Sequence, residues 1–160
     1  MTGPLEFKHT MRHVPTGVTV VTSFKDGEPR GITVSAFASV SADPPIVLIC
    51  INRAARSYLF ISASRAFCVN VLAGSQRDLA ERFSGKIRDR QFDEMQYRVG
   101  ETGAPVLEGT IAHFECTVTE EHHAGSHSIF LGRVIACAGR PGTPLGYFNG
   151  GFHDFGIQVD

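Results

Sequence analysis

An α+β fold dominated by antiparallel strands is predicted by three features of this 160-residue sequence. Short runs of β-branched and aromatic residues recur between turn signals, only two segments carry helix signatures, and strands and helices do not alternate as a doubly wound parallel sheet requires. A hydrophobic share of 42% with 19% charged residues suits one ordered core, so a single domain across residues 1–160 is expected.

The first strand is read in residues 17–22 (Gly-Val-Thr-Val-Val-Thr). Lys25-Asp26-Gly27-Glu28-Pro29 follows it, and the Asp-Gly pair favours a two-residue hairpin turn. Residues 32–40, 46–51, 67–72, 112–119 and 128–138 continue the pattern, at a spacing that fits a barrel or a sandwich. Helices are expected over 54–63, after Asn52, and over 76–83, after Ser75, where Ser75 and Asp78 form an S-x-x-D capping signature. Residues 86–103 form the longest expected loop, and residues 120–127 a turn.

Composition removes several functions. A net charge of −1 lacks the positive field that binds nucleic acid. The longest aliphatic run, residues 46–51, is too short to cross a bilayer, and residues 1–10 have no apolar signal region, so a cytoplasmic protein is expected. Cys50, Cys68, Cys116 and Cys137 stand far apart in apolar surroundings and read as buried thiols, with neither a disulfide framework nor a zinc site. Neither G-x-G-x-x-G nor a P-loop is present.

Five segments carry candidate chemistry. Read as a continuous strand, residues 33–41 divide into Val34, Ala36, Ala38 and Val40 on one face and Thr33, Ser35, Phe37, Ser39 and Ser41 on the other. Buried hydroxyls need partners, which a polar ligand could supply, and small side chains let a flat ring approach the backbone; a strand facing water is the alternative. Asn52, Arg53, Arg56 and Ser57 at a helix start suit a phosphate, or else ordinary capping. Phe83-Ser84-Gly85-Lys86 offers a second phosphate contact or a helix C-cap. His122, His123 and His127 share one turn without the matched second shell of a metal site, while Tyr147, Phe148 and Phe152 gather around the Gly150-Gly151 pair.

Pro15-Thr16-Gly17-Val18-Thr19-Val20-Val21-Thr22, Gly31-Ile32-Thr33-Val34-Ser35-Ala36-Phe37, Cys50-Ile51-Asn52-Arg53, Leu79-Ala80-Glu81-Arg82-Phe83-Ser84-Gly85, Gly125-Ser126-His127 and Pro144-Leu145-Gly146-Tyr147 together resemble the short-chain flavin reductase family, over nearly the whole chain. The resemblance implies an FMN-binding split β-barrel with a few flanking helices, a homodimer, and an oxidoreductase that passes a hydride from NADH or NADPH to FMN or FAD. The reduced flavin often serves a separate monooxygenase component. A non-catalytic flavin carrier or sensor is the alternative. The resemblance places the isoalloxazine beside Thr33, Val34, Ser35, Ala36 and Phe37, with Ser39 and Ser41 toward the ribityl or phosphate end. It assigns phosphate contacts to Asn52, Arg53, Ser57, Phe83, Ser84 and Gly85. His127 becomes the catalytic residue on the nicotinamide side, accompanied by Tyr147 and Phe148. Ser126 stands where the family usually has Asp.

Overall fold

The computed structural model describes residues 2–87 and 89–155. In chain order the elements are α1 (Pro4–Met11), β1 (Thr16–Gly17), β2 (Thr19–Lys25), β3 (Glu28–Val34), β4 (Phe37–Ala42), β5 (Pro45–Asn52), α2 (Arg56–Ser64) and β6 (Ala66–Val71). A 3₁₀ turn (Gly74–Gln76), α3 (Arg77–Glu81) and a π turn (Arg82–Lys86) follow without a break. The chain then forms β7 (Tyr97–Val99), β8 (Pro105–Leu107), β9 (Ala112–Ala124), β10 (His127–Gly139), β11 (Leu145–Phe148) and β12 (Gly151–Asp154).

Every strand pair is antiparallel, as the sequence predicts. Seven strands form one sheet in the order β3-β2-β6-β9-β10-β5-β4; β1-β11-β12 and β7-β8 make two smaller sheets. The β2–β3 hairpin turns at Asp26 and Gly27, both with positive φ, the geometry a primed turn needs. The two edge strands of the large sheet, β3 and β4, are joined by only Ser35 and Ala36. A sheet whose edges are two residues apart has to curl. The core records this, because Val34 of β3 shares one buried cluster with Val47 and Ile49 of β5 near the opposite edge. Register shifts at Leu131/Gly132 and Val134/Ala136 add bulges, which increase local twist.

Strand β2 is buried on both faces. Its Val21 points into the cluster inside the curled sheet, which Ile61 of α2 also enters. Val20, with Val18 before it, packs instead among Leu72, Ala80, Phe83, Leu107 and Leu145. Full burial of a Phe or Leu in such a cluster contributes about 1.5–3 kcal/mol, so β2 is stabilised from two sides. This second cluster fixes α3 and the π turn against β3, and that placement builds the site.

Several expectations are corrected. A single strand over 32–40 does not form: the Phe37 N–H donates to the Ser35 carbonyl (3.0 Å) and the Cys50 N–H to the Ala36 carbonyl (3.1 Å), so the chain bends from one sheet edge to the other. A further register shift between Ser39 and Ser41 leaves Val40 as an extra residue and breaks the expected alternation. The turn over 120–127 contracts to Gly125 and Ser126, because β9 and β10 pair up to Ala124 and His127. Asn52 caps a turn rather than the helix. Its Oδ1 accepts from the Ala54 N–H (2.9 Å), and α2 starts only at Arg56. The 76–83 helix is divided among three helical turns, and Ser75 makes no capping bond; Gln76 Oε1 accepts from the Ala73 N–H (3.0 Å) instead. Residues 86–103 contain β7, and α1 lies where no helix was expected. Cys68 and Cys116 are buried, whereas Cys50 is half-buried and Cys137 exposed. Burial pushes the Cys116 thiol up to about 12, helped by Cys137 and Glu115 nearby.

Candidate functional site

The end of β3 forms one wall of a cleft of about 360 Å³. Thr33, Val34 and Ser35 face Ala80, Glu81, Ser84 and Lys86 across it, and Tyr147, Gly150 and Phe152 from the β11–β12 hairpin close its top. Thr33 ties the two walls together by donating its hydroxyl to the Ala80 carbonyl (2.6 Å). That hydroxyl is therefore committed to the protein, while Ser35 stands exposed at the corner. Ser84 caps its own turn by donating to the Glu81 carbonyl (2.7 Å). The Tyr147 and Phe152 rings meet edge to face, with centroids 5.5 Å apart, which is a favourable and rigid aromatic contact.

A second groove of about 520 Å³ lies on the other side of the π turn. Arg30, Gly31 and Ile32 of β3 line it with Ala54 to Ser57 at the start of α2, and Phe83, Gly85, Ile87, Asp89 and Gln91 complete it. The π turn is thus a shared partition, with Ser84 and Lys86 on one side and Phe83 and Gly85 on the other. Gly85 has φ +93°, a conformation that favours glycine and lets the turn reverse. Gly31 is needed for a different reason: a Cβ there would sit 2.5 Å from the Phe83 ring. Ser57 is buried and donates to the Gly31 carbonyl (3.2 Å), which anchors α2 on β3. Arg56 pairs with Asp89 at 2.5 Å, both well exposed, so the pair contributes little to stability and leaves a guanidinium at the groove mouth.

Asn52, Arg53 and His127 form a third group. His127 lies directly across from Asn52 in the β5–β10 ladder. Arg53 binds the intervening turn twice: its Nη2 donates to the Gly125 carbonyl (2.6 Å) and its backbone N–H to the Ser126 carbonyl (3.0 Å). Ser126 Oγ lies 2.9 Å from His127 Nδ1. The hairpin carrying His127 is thereby fastened to the segment that leads into α2.

The expected site residues therefore divide. Thr33, Val34, Ser35, Ser84 and Tyr147 share the first cleft, and Ser57, Phe83 and Gly85 the adjoining groove. Ala36 and Phe37 lie at the corner beside Cys50. Ser39 and Ser41 are not brought to either; they line a separate groove of about 300 Å³ with Phe114, Val134 and Cys137. Phe148 is not among the residues lining the first cleft and meets His153 edge to face, with centroids 6.0 Å apart. His122 meets Glu120 at 2.8 Å and His123 meets Glu121 at 3.4 Å, and no group of three metal-ligating side chains occurs among the described residues. The sequence reading assigned no site role to Val18, Arg30, Ala80, Glu81, Asp89, Gln91, Gly150 or Phe152. Only the aromatic and glycine cluster at 147–152 carried a signal for the last two; the others are brought in by tertiary packing.

Comparison with known proteins follows this geometry. Residues 11–156 match the family model described as "Flavin reductase like domain". The chain is similar to the reductase subunit of a flavin-dependent monooxygenase from Mycobacterium tuberculosis, at 36% identity over 93% of this chain and 81% of that protein. It is also similar to an NADH-dependent FAD reductase from Streptomyces globisporus, at 38% identity over 98% of this chain and 88% of the relative. Among solved structures, the Streptomyces globisporus NADH:FAD oxidoreductase in complex with NAD and FAD fragments superposes with a TM-score of 0.92 at 36% identity, covering 100% of this chain and 99% of the other.

Proposed function

The chain belongs to the flavin reductase like family, and on that premise we propose that it is an NADH-dependent flavin reductase that hands reduced FMN or FAD to a separate monooxygenase component. The observation that carries this reading is the pair of clefts on either side of the π turn. Their sizes lie in the range of small-molecule sites, and their linings differ as the two ends of a flavin differ. The first is walled mainly by small and aromatic side chains, with Glu81 and Lys86 along one side, and suits a flat ring. The second has Arg30, Arg56 and Ser57 and suits a phosphate.

When bound together, a reduced nicotinamide supplies the hydride that a flavin accepts. The chain's own work is alignment. Thr33, Val34, Ser35 and Ala36 seat the ring, with Phe37 behind the corner, and the Tyr147–Phe152 pair screens the cleft from water. Asn52 and Arg53 shape the approach to α2, Ser57, Phe83 and Gly85 line the phosphate end, and Ser84 lies on the ring side of the π turn. Ser39 and Ser41, in their own groove, stay outside the seat on this chain. His127 orients the nicotinamide carboxamide, a task that needs a hydrogen-bond donor and no strong acid. Holding two reactants in register is itself a large rate effect.

The finer architecture follows the same reading. The joined edges at Ser35–Ala36 and the shared core support a split β-barrel, and the family match over 11–156 supports one domain spanning the chain. Helix α1 buries none of its residues. Leu5, Phe7 and Met11 on it, with Val40 and Ile135 on the sheet, are exposed, which supports a homodimer that covers them. A cytoplasmic setting suits an enzyme that draws on the cell's NADH.

A non-catalytic carrier would bind flavin without consuming NADH. The deciding experiment follows NADH oxidation with added FMN or FAD. Many turnovers per protein are expected; a yellow protein that never oxidises NADH would overturn the reading.

A further inference from the structure

We propose that Ser126 is a positioning residue that presents His127 to the nicotinamide as an Nε2–H donor, with Arg53 as the clamp that holds both. This rests on the reading of His127 as the nicotinamide-side group. Three contacts carry it: Ser126 Oγ to His127 Nδ1 at 2.9 Å, Arg53 Nη2 to the Gly125 carbonyl at 2.6 Å, and the Arg53 N–H to the Ser126 carbonyl at 3.0 Å. Arg53 grips both residues of the two-residue turn. The backbone that presents His127 is thereby held.

The chemistry of the partner sets the tautomer. The Asp that the resemblance places at this turn in other members is, when ionised, only an acceptor, so it requires a proton on Nδ1. A serine hydroxyl can also donate. The 2.9 Å contact accommodates a proton on either atom, and in the arrangement proposed the Ser126 hydroxyl donates to Nδ1, which leaves the imidazole proton on Nε2. His127 is exposed, and its Nε2 has no partner among the described residues, which leaves that N–H for the carboxamide oxygen.

Long-range ¹H–¹⁵N spectra of the full chain labelled with ¹⁵N-histidine read this directly, with His127→Gln assigning the resonance. The wild type should show an acceptor-like Nδ1 and a protonated Nε2. Ser126→Ala should give a mixture of tautomers and raise KM for NADH roughly five-fold, the worth of one neutral hydrogen bond, with kcat and flavin KM little changed. Ser126→Thr should restore both. A wild type protonated on Nδ1, or a Ser126→Ala variant with unchanged spectra and NADH KM, would overturn the proposal. The spectra do not depend on turnover, so a chain that fails to oxidise NADH refutes the reductase reading separately.

Discussion

A side chain on Gly31 has no room: its Cβ would lie 2.5 Å from two carbons of the Phe83 ring, which is itself fully buried. The ring cannot yield without moving the π turn that divides the two grooves. Gly31→Ala should therefore cost about 1–3 kcal/mol in urea unfolding, as overpacking does, and weaken flavin binding in parallel. Ser35 is the opposite case. It is exposed at the corner and lines the cleft, so Ser35→Leu should leave unfolding nearly unchanged while raising the flavin Kd roughly tenfold or more, a clash of only about 1.4 kcal/mol. Fluorescence titration with FMN checks it. At this scale the sequence was a good guide wherever the residue type itself carries the chemistry. Ser35 lines the first cleft and Ser57 and Gly85 the second, in keeping with their small size and hydroxyls, whereas His127 stands apart at the β9–β10 turn. Arg53 shows what residue type leaves out: its guanidinium, a phosphate candidate by chemistry, also donates to the Gly125 carbonyl of the β9–β10 turn, a contact only the folded chain reveals.

Among the elements, the β9–β10 hairpin carries His127 at its tip and a charged network on its flank. Burial pushes the Glu121 carboxyl up, but the Ser62 hydroxyl donating to it (3.1 Å), with the Tyr58 and Ser128 hydroxyls and the His123 imidazole close by, outweighs burial, and the group ends below its ordinary value near 4.5. A depressed carboxylate contributes stability that is fully present above the unfolded value and is lost as pH falls through the folded one. Glu121→Gln should remove that part of the acid sensitivity: the stability difference between the two proteins at pH 7 should shrink below pH 4.5, as measured by urea midpoints. A constant difference would show that Glu121 is not so held. At the hairpin's other end Glu115, only 1% exposed, is held by Arg98 at 3.1 Å and by the Glu101 N–H at 2.5 Å, and fixes the turn before β8. Strand existence was legible throughout, because β-branched runs are a local signal. The bend at Ser35–Ala36 was not. Nothing local distinguishes a continuous strand from two strands on opposite edges of one sheet, and only the pairing of Cys50 with Ala36 decides it.

For the molecule as a whole, the proposed homodimer accounts for an eight-residue helix with nothing buried, since isolated helices shorter than about 12–15 residues are marginal in water. Sedimentation should give twice the 17.4 kDa chain mass, and removal of residues 2–11 should shift the equilibrium toward monomer. A monomeric 160-residue chain would refute the proposed homodimer. The sheet topology takes effect at the end of β3, where the corner at Ser35–Ala36 becomes the wall of a cleft. The most direct test is a crystal structure with FMN. The ring is predicted against Thr33, Val34 and Ser35 beneath Tyr147 and Phe152, with the phosphate across the π turn beside Ser57. FMN bound elsewhere, or a cleft filled by the chain itself, would contradict the account.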